Sequence, residues 1–329
     1  MQYRRLGQAG LQISELSFGS WVTFHNQVDL SSAKKLMSIA YEAGVNFFDN
    51  AEVYAEGHSE LIMGQALKSL GWSRDSYCLS SKVFWGGPKP TQRGLSRKHV
   101  RDACDAALRR MEVDYLDLYF CHRPDVQTPI EETVRAMHEL VLSGKILYWG
   151  TSEWNAAQIA AAHGIAQQYG LNPPTMEQPQ YNLFHRDRVE REYATCYAEY
   201  GMGTTIWSPL ASGILTGKYN QGVPPDSRLA VSGYEWMRKE LESEAGQNRL
   251  AKVQDLQVLA RDLDMSLAQL AVAWCLKNPH VSTVILGASR AEQLVENLKA
   301  SDLSQRLDQG VLQRIETIVQ NRPPLETAY

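Results

Sequence analysis

The feature that most constrains the fold is an alternation maintained along the whole chain: a short β-rich run, a turn, then an amphipathic segment. The runs that read as strands are residues 16–18, 45–49, 77–82, 115–120, 147–150, 175–178, 204–207 and 283–286. Several are apolar on consecutive residues, which is expected of strands covered on both faces. Between them lie helical periods. Ser31 and Ser32 open AKKLMSIAYEAG, which Gly44 stops. Ser59 opens SELIMGQALKSLG, Ser96 opens SRKHVRDACDAALRRM, and Pro129 opens PIEETVRAMHELVLSG with Gly144 as its C-cap. Further helices fit 155–169, 188–200, 249–263, 266–277, 291–299 and 309–319. Met37, Met63 and Met137 fall at apolar helical positions and read as core.

Strands alternating with helices call for a parallel sheet with crossover connections, and eight units favour its closure into a (β/α)8 TIM barrel. The residues before the first strand, with Gly7 and Gly10, suit a small N-terminal β-hairpin under the barrel, and helices follow the last strand. A barrel uses 329 residues as one domain, 1–329. A net charge of −4 offers no electrostatic reason for nucleic acid or an anionic membrane as partner. Five widely spaced cysteines with no CxxC pair speak against a disulfide framework or a metal site and point to a reducing cytoplasm. MQYRRLGQAGL has no apolar core of the kind a secretory leader needs. The longest apolar stretch, near 267–276, falls short of the ~20 residues that span a bilayer.

Barrel enzymes carry their chemistry at the C-terminal ends of the strands. The second run leads into FFDNAEVY, with Asp49 and then Tyr54. The third leads into LSSKVFW, with Lys82, and the fourth into YLDLYFCHRPD, with His122. Singly, each is more often structural: an Asp caps a helix, a Lys forms an ion pair. Together, after successive strands, they converge on one rim and suit the reduction of a carbonyl. That reaction needs a proton donor for the developing alkoxide. A free tyrosine, with pKa ~10, is a poor donor at neutral pH, and a neighbouring ammonium lowers that value. A buried lysine needs a carboxylate such as Asp49 to hold its charge, and His122 can orient the carbonyl oxygen. Trp21, Trp85, Trp154 and Tyr181 lie at or just past the ends of strands one, three, five and six, where they could line an apolar substrate pocket beneath the WGGPKPTQRGL loop.

At these residues the chain resembles the aldo-keto reductase superfamily, and within it the branch of the voltage-gated potassium-channel β-subunits. The resemblance runs from YRRLGQAGLQISELSFGSW to GASRAEQLVEN and is most specific in FFDNAEVYAEGHSE, KVFWGG, RGLSRKHV, RPDVQTPIEETVRAM, WSPLASGILTGKY and LAVAWCLKN. It implies a (β/α)8 barrel, NADPH, and a tetrad that maps onto Asp49, Tyr54, Lys82 and His122. The animal channel subunits carry Asn where His122 stands, and His is usual in efficient reductases, so this position favours turnover.

There is no GxGxxG after the first strand, which removes a Rossmann fingerprint. The resemblance implies a dinucleotide extended across the barrel mouth instead. It matches Ser152 and Gln178 to the nicotinamide carboxamide and Trp207 to the platform under the ring, with Ser20, Trp21 and Asp49 as further contacts. Ser208, Pro209, Leu210, Ala211, Ser212 and Gly213 match a loop along the pyrophosphate, with Lys218 and Arg228 closing over the phosphates. Gly287, Ser289 and Gln293 match contacts near the adenosine 2′-phosphate, where a helix N-terminus is a ready anion site, and Glu296 and Asn297 match contacts to adenine. This set favours NADPH over NADH. Arg290 is a further phosphate candidate. Glu153 stands where the family often has Asn and receives no carboxamide contact. YEWMRKELESEAGQNRLAK reads as a solvated helix face, and in the resembling family this region lies near the cofactor, where it can act as a lid. The resemblance also implies a homotetramer. The same motifs fit a redox-sensing, channel β-subunit-like regulatory protein with a channel as partner. They also fit a reductase of glyceraldehyde 3-phosphate like bacterial enzymes of the branch, for which Arg93 and Arg123 are candidate phosphate contacts.

Overall fold

The computed structural model describes residues 1–21, 23–24, 27–225, 227, 229 and 235–324. Among the described residues there are ten strands: β1 (Tyr3–Arg5), β2 (Gln12–Ser14), β3 (Leu16–Gly19), β4 (Phe47–Asp49), β5 (Cys78–Val83), β6 (Leu116–Cys121), β7 (Ile146–Ser152), β8 (Met176–Gln178), β9 (Gly203–Ile206) and β10 (Val281–Leu286). The last eight form a closed parallel barrel in chain order, with β10 pairing back to β3. Helices α1 (Leu30–Glu42), α2 (His58–Leu70), α3 (Arg97–Met111), α4 (Ile130–Leu142), α5 (Ala156–Tyr169), α6 (Ala194–Tyr200), α7 (Glu235–Glu242), α8 (Glu244–Asp262), α9 (Leu267–Leu276), α10 (Ala291–Leu298), α11 (Ala300–Leu303) and α12 (Gln309–Val319) accompany it. The eight-stranded barrel and the N-terminal hairpin are as the alternation predicts. Among the described residues no helix is long and apolar enough to cross a membrane.

Strand parity organises the core. Phe48, Leu79, Tyr119 and Cys121 point outward into a cluster shared with α1 to α5, where Met37, Met63 and Met137 are fully buried. A second outer cluster joins α8, α9 and α12 to β9 and β10. Residues of opposite parity, Phe47, Cys78, Leu118, Phe120 and Met176, fill the lower barrel interior together with Leu6 and Ile13 from the hairpin. Each such apolar side chain contributes roughly 1.5–3 kcal/mol on leaving water. The hairpin therefore acts as a plug. Gly7, at φ +58, makes this possible: a Cβ there would lie 2.1 Å from the Gly201 carbonyl oxygen.

Several element ends differ from expectation, each for a local reason. Asp29, not Ser31 or Ser32, caps α1, accepting from the Ser32 amide at 2.8 Å. α2 begins at His58 after Gly57, and Ser59 is buried within it. Residues 45–46 stay outside β4 because the Val45 amide closes α1 on Ala40 and the Asn46 side chain accepts from the Ser14 amide. Ser143 caps α4, with Gly144 following at φ +71. The expected helix over 188–200 splits into a wide turn at Arg188–Glu192 and α6, separated at Tyr193, whose hydroxyl donates to the Trp154 carbonyl. The helix expected from 249 starts earlier, at Glu244, on a Ser243 cap.

Glu15, joining hairpin to barrel, is buried, with one carboxylate oxygen 3.0 Å from Arg4 and the other accepting from Ser301. Arg4 also donates to the carbonyls of Val281 and Leu276. Stranding a buried carboxylate is expensive, so Arg4→Met is expected to lower unfolding free energy by about 3 kcal/mol, with Glu15→Gln in the same chain recovering part of it. Urea denaturation of the three variants measures this; a loss within error of zero would show the pair to be incidental.

Candidate active site

Parity also builds the rim. The positions that continue the inward rows past Phe47, Cys78–Ser80, Leu118–Phe120, Gly150 and Met176 are Asp49, Lys82, His122, Ser152 and Gln178. Side chains from separate strands thus meet at the C-terminal mouth. Lys82 is fully buried. Its Nζ donates to Asp49 Oδ2 at 2.7 Å, to the Asn50 carbonyl at 2.7 Å and to Tyr54 Oη at 3.2 Å. An ammonium has three protons and no acceptor, so all three are used and Tyr54 Oη receives one of them. The tyrosine's own proton is left for another acceptor. Asp49 is held in turn by Ser80 Oγ at 2.7 Å and Gln178 Nε2 at 3.1 Å on its other oxygen.

Burial pulls Lys82 below its ordinary pKa, while Asp49 opposes the loss of charge. The expectation that Lys82 lowers the Tyr54 pKa is not met. Burial, then the negative charge of Asp49, push the phenol well above its usual value, and only Arg123 pulls it down. The physical reason is first that burial strips the phenolate of solvation, and second that the charge of Asp49 opposes a further negative charge beside it. Tyr54 is consequently a firmly protonated donor. His122 is buried and held well below its ordinary pKa by burial and by the nearby charges of Lys82 and Arg123, so it is a neutral imidazole. Its Nδ1 has no hydrogen-bond partner among the described residues, and its ring lies 5.8 Å from that of Tyr54 and 5.2 Å from Trp85.

Tyr54 comes from a strained turn: Ala55, Glu56 and Gly57 follow at φ +49, +55 and +87. Left-handed non-glycine residues cost about 1–3 kcal/mol each. The loop is braced by Glu52, whose carboxylate accepts from the Phe84 amide at 2.7 Å and faces His99 Nε2 at 3.5 Å. This ties the Tyr54 turn to the loop that bears Trp85.

A cavity of about 340 Å³ opens above these groups. Trp21, Asp49, Tyr54, Trp85, His122, Arg123, Ser152, Gln178 and Trp207 line one end, and Ser208, Pro209, Leu210, Ser212, Gly213, Lys218, Gly287, Gln293 and Asn297 line the rest. Trp21 meets Trp207 edge-on at 5.7 Å. Ser208, Ala211, Ser212 and Gly213 all have positive φ, which curls their loop tightly. Gly213 adopts φ +93, which favours glycine, and a Cβ there would lie 2.9 Å from Lys218 Nζ, so the lysine's tip lies against this loop.

Not every expected residue reaches the wall. Ser20 is buried beneath it, its hydroxyl on the Asp49 carbonyl, and the Ala211 side chain is buried. Trp154 and Tyr181 do not line the pocket. Both are 2% exposed: Trp154 packs into the outer core, and Tyr181 stacks on Trp274 and donates to Glu190 at 2.8 Å. Ser289 does not line the cavity, and Arg290 occupies the cap position of α10. Glu296 faces a separate cleft beside the α8–α9 connection. Arg93 is exposed and donates to the Gly87 carbonyl. Arg228 lies outside the described residues, as does Tyr234 at the start of the charge-rich stretch, whose later residues form α7 and α8. Thr216, Ile285, Leu286 and Val53 line the cavity without having been singled out; as ordinary apolar or loop residues they carry no sequence signal.

A family model described as "Aldo/keto reductase family" matches residues 15–320. Proteins named "Probable voltage-gated potassium channel subunit beta" from Arabidopsis thaliana and from Oryza sativa subsp. japonica are each 50% identical over 331 residues, covering 100% of this chain and of their own.

Behind the cavity, Glu177 is fully buried, with the Thr151 hydroxyl on one oxygen and no partner for the other among the described residues. Burial pushes its pKa up to about 8. Between the unfolded value, roughly 4.3, and 8, the native state holds a proton that the unfolded chain has lost. Raising pH through that window therefore destabilises the fold by roughly 1.4 kcal/mol per unit, and the slope ends above 8. Glu177→Gln should remove this slope, so its denaturation midpoint gains on wild type from pH 5.5 to 8 and then runs parallel. Parallel curves throughout would rule out the buried proton.

Proposed function

The chain belongs to the aldo/keto reductase family, and from that premise we propose that it reduces aldehydes and ketones to alcohols with NADPH, Tyr54 giving the proton. The family is one of oxidoreductases; the particular reaction, the cofactor and the roles below are our reading. The observation that carries it is the saturation of Lys82, which makes Tyr54 Oη an acceptor from the lysine and frees the phenolic proton toward the cavity.

The residues fit a dinucleotide. One cavity wall joins Asp49, Tyr54, Trp85 and His122 with Ser208, Gly213, Lys218, Gln293 and Asn297, and Lys218 lies against the curled loop at Gly213. Ser152 and Gln178 would hold the carboxamide, Trp207 would carry the ring, and the Ser208–Gly213 loop with Lys218 would hold the phosphates. NADPH supplies the hydride when bound.

The chain's own groups do the rest. Neutral His122 can donate a hydrogen bond to a carbonyl oxygen without giving up a proton. Tyr54, protonated throughout the neutral range, transfers its proton to the alkoxide, a much stronger base than phenolate. The phenolate that remains keeps the Lys82 hydrogen bond, and Asp49 keeps Lys82 charged. Trp21, Trp85 and Trp207 shield the site from water.

A second reading, a carbonyl that also bears a phosphate or carboxylate, is favoured by Arg123. Its guanidinium lies in the cavity wall, 5.4 Å over the Trp85 ring, donating to the His122 carbonyl at 2.6 Å. No carboxylate pairs with it among the described residues. A cation kept so close to the reacting groups is suited to an anionic substrate. The names of the relatives also raise a channel-associated role, to which the resemblance in the sequence adds redox sensing and a homotetramer. Such a sensor would bind NADPH in the same cleft with turnover near zero.

Tyr54→Phe is expected to lower kcat by roughly 10²–10⁴-fold while NADPH binding, read by tryptophan quenching, stays near wild type. Near-normal kcat would overturn the donor assignment. Arg123→Leu should cut kcat/KM for glyceraldehyde 3-phosphate by roughly 10–150-fold and leave benzaldehyde reduction little changed. Equal losses on both substrates would remove the anionic-substrate reading.

A further inference from the structure

Glu153 follows β7 directly, at the edge of the cofactor cleft, and has no part in the tetrad. Its backbone is left-handed, at φ +59, a conformation that disfavours any residue with a side chain. The side chain nevertheless gathers three partners. Oε1 accepts from Trp207 Nε1 at 2.9 Å and from the Gln180 amide at 2.7 Å, and Oε2 pairs with Arg188 at 2.7 Å. These partners come from three different connections at the barrel mouth: Gln180 follows β8, Trp207 follows β9, and Arg188 lies in the wide turn before α6.

An indole has a single hydrogen-bond donor. With Nε1 held by Glu153, the Trp207 ring can no longer rotate freely about its side-chain torsions. Its second constraint is the edge-on contact with Trp21. Gln180 and Trp207 are also bridged through their backbones, the Trp207 amide donating to the Pro179 carbonyl at 3.1 Å. The platform is thus fixed at both the backbone and the indole nitrogen. Arg188 balances the charge of the carboxylate, so Glu153 is an anionic acceptor, which strengthens its bonds to neutral donors.

We propose that Glu153 is a positioning residue: through Trp207 Nε1 it sets the plane of the indole on which the nicotinamide ring rests. The inference depends on the reading that Trp207 carries that ring. Glu153 does not line the cavity. It acts by fixing the platform in advance, so that the ring is bound in one orientation and hydride transfer is aligned.

The test is a double-mutant cycle on the purified full chain. NADPH dissociation constants, kcat and carbonyl KM are measured for wild type, Glu153→Ala, Glu153→Gln, Trp207→Phe and the combined Glu153→Ala/Trp207→Phe. Glu153→Ala is expected to weaken NADPH binding about 10-fold and to lower kcat by a similar factor, with carbonyl KM unchanged. Glu153→Gln, which keeps an oxygen for Nε1, should recover to within about 3-fold of wild type. Phenylalanine has no N–H, so Glu153→Ala should cause no further loss in the Trp207→Phe background. Additive losses would mean that Glu153 acts only through Arg188 or Gln180, and would overturn the inference. If Glu153→Ala does not fold, faster exchange of the Trp207 indole proton in Trp207-assigned NMR spectra of Glu153→Asn, whose shorter side chain tolerates the left-handed backbone but cannot span to Nε1, replaces it; unchanged exchange would equally overturn it. Wild type that binds no NADPH would instead sink the cofactor reading, and this inference with it.

Discussion

The buried contact between Lys82 and Asp49 is the interaction on which the rest of the mouth depends. A lysine with no exposed surface keeps its charge only if a carboxylate and further acceptors surround it. Here the acceptors come from β4 and the turn after it, while the lysine comes from β5. Closing the barrel is what brings them together, and the third proton of Lys82 then selects the position of Tyr54. Ser80 and Gln178 hold the far side of Asp49, so the pair is anchored to three strands. The ion pair is less a source of net stability than a fixture that sets which group points where.

The two ends of the barrel are built differently. The floor is apolar and plugged: Leu6 and Ile13 complete a core with Phe47, Leu118 and Phe120. The mouth is polar and holds strain, with left-handed residues at Ala55, Glu56, Glu153, Ser208, Ala211 and Ser212. Strain of this kind persists only where the surroundings over-determine the backbone. The well-packed lower barrel and outer helices supply that surplus of stability. The loops of the mouth can then hold side chains in positions that relaxed turns would not offer.

Charge around the cleft is arranged in layers. Lys82 and Asp49 pair at its base, while burial first of all keeps Tyr54 and His122 neutral and able to exchange hydrogen bonds with an uncharged carbonyl. Arg123 remains at the wall without a carboxylate partner among the described residues, and Lys218 lines the same cleft beside Gly213. Behind the wall, Glu153 is balanced by Arg188 and Glu177 holds a proton. A cleft whose tyrosine and imidazole are neutral while Arg123 and Lys218 add positive charge to its wall suits a carbonyl beside a polyanionic dinucleotide.

The amino-acid sequence by itself determined the barrel, the hairpin and the four groups at the rim. Strands buried on both faces must be apolar on consecutive residues, and polar residues placed at the ends of such runs can only reach the mouth. Parity along each strand then follows from a period of two, so Asp49, Lys82 and His122 were legible as inward-facing once the strands were found. The tertiary structure alone decided what depends on loops and on distant partners. Trp154 and Tyr181 sit at strand ends as Trp85 does, yet they turn into the core, because the chain leaves β7 through a left-handed residue and because Trp274 offers Tyr181 a stacking partner. The raised pKa of Tyr54 was hidden for the same reason: adjacency to a lysine is readable from spacing, but how deeply the phenol is buried beside Asp49 is set only by the folded chain. The grip of Glu153 on Trp207 joins residues 54 positions apart, and no local pattern records it. Periodicity reports which face a side chain takes; only the folded chain fixes which partner it meets there.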